Sequence, residues 1–197
     1  SVGVGLSGTG PDPEPEPEPE PEPDPAPDVV VVNTGIVGTL GGAGFSVDCG
    51  AGSVLAGVTA VTSRNRMDAL AAWCVGVDAS GSWQGDPVQT GGEFGKRFNS
   101  SQEGIALCPA DHAVVGFTGA RGTESYFVNY AGSIELKCRA LTSPVTVTGD
   151  EVSLPQLGVT GEGLTSDSCA DGFAARGLFG AAGSHVDYYG LQCLAPE

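Results

Sequence analysis

Six cysteines divide this 197-residue chain into three similar stretches, and their spacing constrains the fold more than any other feature of the sequence. The stretches are framed by Cys49 and Cys74, Cys108 and Cys138, and Cys169 and Cys193. In each, a glycine stands eight positions after the first cysteine (Gly57, Gly116, Gly177), followed by an apolar residue (Val58, Phe117, Leu178). Before each closing cysteine alternate positions are apolar: Leu70 and Ala72, Ile134 and Leu136, Tyr189 and Leu191. A period of two marks a strand with one buried face, and coincident landmarks at a near-constant interval mark an internal repeat. Each copy reads as strand, glycine turn, strand, with the closing cysteine on the second strand. The copies cover approximately 36–90, 91–155 and 156–197 of a domain spanning 29–197.

No C-x-x-C pair and no His–Cys cluster occurs, which argues against zinc; no metal and no cofactor is expected. An even number of isolated cysteines fits disulfides formed in an oxidising compartment, hence an extracellular or cell-surface location. Six cysteines admit fifteen pairings, and repeat symmetry selects Cys49–Cys74, Cys108–Cys138 and Cys169–Cys193. Each is expected to staple adjacent strands of one small sheet, closing a loop of about 25–30 residues at a gain of roughly 3 kcal/mol on chain-entropy grounds. Glycine, with 32 residues, joins Val, Thr and Ser in favouring short strands and tight turns. Three small sheets with one apolar face each can cover one another as a triangular prism. The expected fold is therefore all-β, with three short antiparallel sheets built from three internal repeats.

Ahead of the domain, residues 1–10 alternate Val2, Val4 and Leu6 with Ser or Gly, the pattern of one lightly built strand. Residues 11–28 then place Pro at every odd position to Pro27, mostly alternating with acids. Proline fixes φ and removes a donor, and like charges repel, so the segment reads as a polyproline II arm on the order of 50 Å long. It holds eight of the 24 acids that bring the formal charge to −16. A polyanion has no electrostatic reason to bind nucleic acid or an anionic membrane. No apolar run approaches the roughly 18 residues needed to insert into a bilayer. A chain that opens at Ser1 without a Met fits a processed secreted protein.

A double glycine with a third glycine and a phenylalanine (Gly41, Gly42, Gly44, Phe45), then C-x7-G, then V-D-x-x-x-L-x-C, resembles the β-prism proteins. The pattern is similar to the vitelline membrane outer layer family and, more distantly, to jacalin-like lectins. The first copy also carries Met67-Asp68 with Cys74, and the third Val186-Asp187 with Leu191 and Cys193. The second has Gly91-Gly92, a displaced Phe98, and Gly132 where the others have Asp; the third has only Gly161 and Gly163 for the double glycine. The resemblance covers about residues 36–197 and implies a β-prism.

After Cys193 only four residues remain, whereas the first two copies run on through strand-like tails such as 142–154. If the sheets are equivalent, the third lacks a strand, and an unfilled edge leaves backbone groups unpaired. Val29–Asn33, a β-branched run suited to a buried strand, could return in cis. In that favoured case Ser1–Leu6 would add to some other exposed edge of a neighbouring copy. Alternatively it could fill the gap itself in another copy, and strand addition of either kind builds head-to-tail filaments. The main functional expectation is thus a secreted structural subunit whose partners are copies of itself, assembled through Val2, Val4 and Leu6.

The alternative is a carbohydrate-binding module whose partners are glycans, with Tyr126, Asp187 and Tyr188 as candidate sugar contacts. Trp73 and Tyr189 read as core residues. Asp68 and Asp187 occupy equivalent positions, for which a turn carboxylate bonding its own backbone is the plain reading. His112 and His185 could be combined with Ser184 or Asp187, and Asp167 with Asp171, but no nucleophile elbow is present; all read as loop residues and no catalytic site is expected. Asn99-Ser100-Ser101 is a glycosylation sequon in a polar loop.

Overall fold

The computed structural model describes residues 29–64, 66–122, 130–159 and 161–196. The Ser1–Gly10 segment with Val2, Val4 and Leu6, the 11–28 spacer and Tyr126 lie outside the described residues. Every regular element described is a strand. In chain order these are β1 (Val29–Asn33), β2 (Val37–Gly38), β3 (Ala43–Asp48), β4 (Ser53–Ser63), β5 (Arg66–Gly76), β6 (Val88–Gly95) and β7 (Gln102–Leu107). They continue as β8 (His112–Arg121), β9 (Ala131–Leu141), β10 (Val147–Ser153), β11 (Leu157–Gly158), β12 (Glu162–Ser168), β13 (Ala175–Ala182) and β14 (Val186–Pro196).

Each copy contributes a long central hairpin: β4–β5, β8–β9 and β13–β14. The strand that opens each copy does not join its own hairpin. β7 pairs with β4 of the first copy, β12 with β8 of the second, and β3 with β13 of the third. The three antiparallel sheets, ordered β6-β5-β4-β7, β10-β9-β8-β12 and β1-β14-β13-β3, are therefore linked in a closed ring. They form the β-prism expected from the repeats.

The strand missing from the third copy is β1, which pairs with β14 from Val29↔Pro196 to Asn33↔Gln192. The cis alternative holds. β1 is not the buried strand its four valines suggest, however: it is the outermost strand of its sheet, and Val30, Val31 and Val32 are 37%, 43% and 49% exposed. Its β-branched residues serve strand propensity more than burial. With this edge filled from within the chain, the vacancy that motivated a head-to-tail polymer does not exist.

The cysteines pair as repeat symmetry requires, closing sequence separations of 25, 30 and 24 residues. They do not staple strands of one sheet. Each opening cysteine follows an exchanged strand, so Cys49–Cys74 joins the third sheet to the first, Cys108–Cys138 the first to the second, and Cys169–Cys193 the second to the third. The disulfides lock the ring of exchanged strands.

Gly57, Gly116 and Gly177 are also placed differently from expectation. They sit inside β4, β8 and β13, each directly after a β-bulge, and do not make turns. The bulged residue before each accepts the amide of an opening cysteine: Ala56 O from Cys108, Val115 O from Cys169 and Arg176 O from Cys49, at 2.8–3.0 Å. A Cβ on Gly57 would overlap Ala106 O, and one on Gly177 would overlap Val47 O. The glycine lets the exchanged strand approach. Gly91-Gly92, read from sequence as the counterpart of Gly41-Gly42, instead forms the irregularity in β6 between the Ala71 and Ala72 pairings.

Inside the prism, Val58, Phe117 and Leu178 meet Leu70, Ile134 and Tyr189, all buried. Tyr189 packs edge-on against Phe117 at 5.6 Å and donates to Ser133 O at 2.6 Å; burial pushes its phenol well above the ordinary value. Trp73, expected in the core, is only partly buried and donates from Nε1 to Thr59 Oγ1 at 2.8 Å. A smaller apolar cluster near the disulfides includes Val54, Val75, Val115 and Leu141, with Trp83 packed against it.

Gly57→Ala should cost about 2 kcal/mol, the order of an overpacked site, because the new methyl meets backbone that cannot rotate away. Gly76→Ala, whose Cβ would lie an ordinary 3.6 Å from Gln84 Cβ, is the control. Chemical denaturation of both variants checks this: a Gly57→Ala midpoint equal to that of Gly76→Ala would contradict the bulge's role.

Candidate functional site

The three central hairpins turn at one end of the prism, where corresponding corners can be compared. Gly38, Gly95 and Gly158 define them. Each has positive φ (106°, 108° and 87°), and a Cβ on each would overlap the carbonyl oxygen of Asp187, Asp68 or Gly132 respectively. These contacts make Asp187, Asp68 and Gly132 structural equivalents, as the repeat alignment indicates. From this common frame the corners diverge.

In the third corner, the hairpin Gly183-Ser184-His185 faces the loop after β2. A Cβ on Gly41 would lie 2.9 Å from Asp187 Oδ1, and one on Gly42 would overlap Oδ2. Two side-chain-free residues thus bring main chain directly against the carboxylate, and Gly42 has the left-handed φ of +63° that favours glycine. Gly41, Gly42, Gly183 and Ser184 are exposed, and Leu40 stands 81% exposed beside them. Burial raises the Asp187 carboxyl above its ordinary value, opposed by the His185 charge and by the backbone amides of Gly183 and Asp187. The corner therefore presents a partly desolvated carboxylate beside backbone at an open rim.

In the first corner the equivalent Asp68 is fully buried and already engaged. Its Oδ1 lies 3.1 Å from Arg66 Nε and 3.1 Å from His185 Nδ1, and its Oδ2 accepts the Ser101 hydroxyl at 2.7 Å. Ser101 Oγ accepts the Phe98 amide in turn. Asp68 is thus no turn carboxylate bonding its own backbone, as the sequence suggested; it joins three loops. In the second corner Gly132 supplies no carboxylate.

Of the candidate sugar residues, the structure places Asp187 at the third corner, with Tyr188 next to it. Tyr189 points into the core, so Tyr188 faces outward, and its ring packs edge-on against Phe179 at 6.5 Å. Asn99 lies exposed in a turn, while Ser101 of the same sequon is committed to Asp68. No catalytic grouping forms from the residues considered. His112 begins β8 near the disulfides, with Nδ1 2.9 Å from Ala110 O, whereas Ser184 and His185 are at the hairpin end. Asp167 accepts the Gly35 amide at 2.5 Å, and Asp171 pairs with Arg139 at 2.9 Å. Among the described residues no group of three His, Cys, Asp or Glu side chains could hold a metal ion.

The residues that sequence reading missed are Gly41, Gly42, Leu40 and Gly183 on the open corner, and Arg66 and Ser101 on the closed one. One signal was available. Four positions before the aspartate, the third copy has Gly183 and the first has Arg64.

The fold is a β-prism of the kind found in jacalin-related lectins. A mannose-binding jacalin-related lectin from Ananas comosus superposes with a TM-score of 0.58 at 19% identity, covering 85% of this chain and 99% of that one. The agglutinin of Calystegia sepium gives 0.58 at 18% identity, covering 88% and 99%. Artocarpin in complex with mannotriose gives 0.58 at 14% identity, covering 83% and 97%. No protein-family model and no curated protein matches the sequence. The jacalin-like part of the sequence resemblance is matched in shape, while the vitelline membrane outer layer part rests on the sequence motif.

Because burial raises the Asp187 carboxyl, ionising it costs the folded state free energy. A folded value above the unfolded one means the group's stabilising contribution is complete below the unfolded value, near 3.8, and is lost as pH rises through the folded value. Asp187→Asn should therefore unfold at a higher temperature than the parent at pH 7, with the gap closing on acidification towards 3.8. Thermal melts across that range check it; a variant less stable than the parent at pH 7 would contradict it.

Proposed function

We propose that this protein is a secreted carbohydrate-binding module and that the third corner holds the sugar. The observation that carries the reading is the Asp187 carboxylate set against the exposed Gly41–Gly42 backbone, where no side chain intervenes. Adjacent hydroxyls of a pyranose can donate to the two carboxylate oxygens and accept from backbone amides, and charge-assisted bonds of this kind are the stronger ones. Leu40 offers an apolar surface to the C–H face of the ring. A chain of net charge −16 favours a neutral sugar over a sialylated or sulfated one. The likeness to a mannose-binding lectin and to a lectin crystallised with mannotriose makes mannosides the first ligands to test. Binding of this type needs no bond making or breaking, and three disulfides suit an extracellular setting. The reading replaces the filament subunit as the main one, because the third sheet is complete without the arm.

A glycan array probed with the full chain tests the proposal. Retention on mannose-terminated glycans is expected, with Asp187→Asn weakening it at least about tenfold, the cost of one charged hydrogen bond. Absence of retention on any neutral glycan, or equal retention by the variant, would overturn it.

A further inference from the structure

Asp68 and Asp187 are one repeat position seen twice, yet only Asp187 faces outward. We propose that Asp68 has become the anchor of the neighbouring sugar loop, holding His185 and through it the Gly183–Asp187 hairpin, so that His185 is a positioning residue for the site. The inference rests on the reading of the third corner as the sugar site.

The geometry supports this from both sides of the contact. Three residues, Gly183, Ser184 and His185, connect β13 to β14, and Asp187 follows two positions later. Gly183 and Ser184 are exposed, and the Gly183 amide stays within the hairpin, meeting His185 O at 2.9 Å and the Asp187 carboxyl. The His185 side chain points the other way, and only 11% of it is exposed. Its ring lies 5.2 Å from Phe98 and 5.4 Å from Tyr130, residues of the loops that follow β6 and precede β9. Its Nδ1 meets Asp68 Oδ1 at 3.1 Å, and a carboxylate acceptor there places the imidazole proton on Nδ1.

Asp68 is equipped for this role and not for ligand. It is fully buried, and both of its oxygens are engaged by Arg66, Ser101 and His185. A sugar hydroxyl would have to displace groups already paired with both carboxylate oxygens, which makes the corner a closed copy of the open one. The Arg66 guanidinium, 5.7 Å from the Phe98 ring, steadies the same cluster. A loop held before ligand arrives loses less conformational freedom on binding, and that difference appears as affinity.

Two substitutions in the full chain separate anchoring from shape. His185→Phe keeps a ring between Phe98 and Tyr130 but removes the Nδ1 donor; His185→Asn keeps an amide nitrogen near the Nδ1 position. Affinity for mannotriose by calorimetry and amide hydrogen exchange of residues 183–187 in the ligand-free protein are the readouts. For His185→Phe we expect about tenfold weaker binding and about tenfold faster exchange in that segment, with the global unfolding midpoint little changed; His185→Asn should restore both to within about threefold. Parent-like exchange in His185→Phe, or damage in His185→Asn equal to that in His185→Phe, would overturn the inference. If the parent itself does not bind mannotriose or any other neutral glycan, the sugar reading fails and the exchange comparison alone decides whether Asp68 anchors the hairpin.

Discussion

The prism depends on one backbone arrangement used three times: an exchanged strand passing close to a glycine that follows a bulge. At Gly57, Gly116 and Gly177 the missing Cβ lets the opening strand of another copy approach, and the bulged carbonyl beside it takes the amide of the cysteine that ends that strand. The disulfide then fixes the same junction from the side-chain end. Because each junction joins two different sheets, no sheet can be completed from one copy alone. This is why the third sheet draws on both ends of the domain, taking β1 and β3 from residues 29–48 to flank β13 and β14. Pairing residues so distant in sequence carries a large loop-closure cost, which the three covalent links offset.

A frame of such regularity produces three similar corners, and they differ in the side chains that each receives. A glycine at Gly38, Gly95 or Gly158 is needed in each because the backbone turns there with positive φ against a neighbouring carbonyl. The residue supplying that carbonyl is free to vary. Gly132 supplies no carboxylate of its own in the second corner, Arg66 and Ser101 close over Asp68 in the first, and Gly41, Gly42 and Gly183 leave Asp187 accessible in the third. The raised carboxyl of Asp187 is what a partly desolvated acid should show where burial outweighs the opposing His185 charge and backbone amides. His185 links the two aspartate corners physically.

Much of the fold was legible in the sequence because the repeat carries it. Period-two alternation located the strands bearing Leu70, Ile134 and Tyr189, symmetry chose the disulfides, and the short third copy pointed to Val29–Asn33. The role of the repeated glycine was misread because a turn and a bulge ask for the same residue; one glycine in sequence does not tell them apart. Gly91-Gly92 misled for a related reason, being a local irregularity in β6 that mimics the earlier double glycine. The site was less accessible to sequence reasoning. Asp187 could be picked out as a repeated position, but its proximity to Gly41 and Gly42 depends on strand exchange. The burial of Asp68 depends on Ser101 and His185 arriving from two other copies.

The account stands most directly on which residues feel a sugar arrive. Backbone amide shifts of the full chain, followed by heteronuclear NMR during titration with methyl α-mannoside, would report this residue by residue. The account predicts saturable changes at Leu40, Gly41, Gly42 and the Gly183–Tyr188 segment, with Asn99 and Ser100 by the closed corner and the valines of β1 unmoved. Changes centred on the Asp68 corner or on the β1 edge, or none anywhere at saturating sugar, would contradict it.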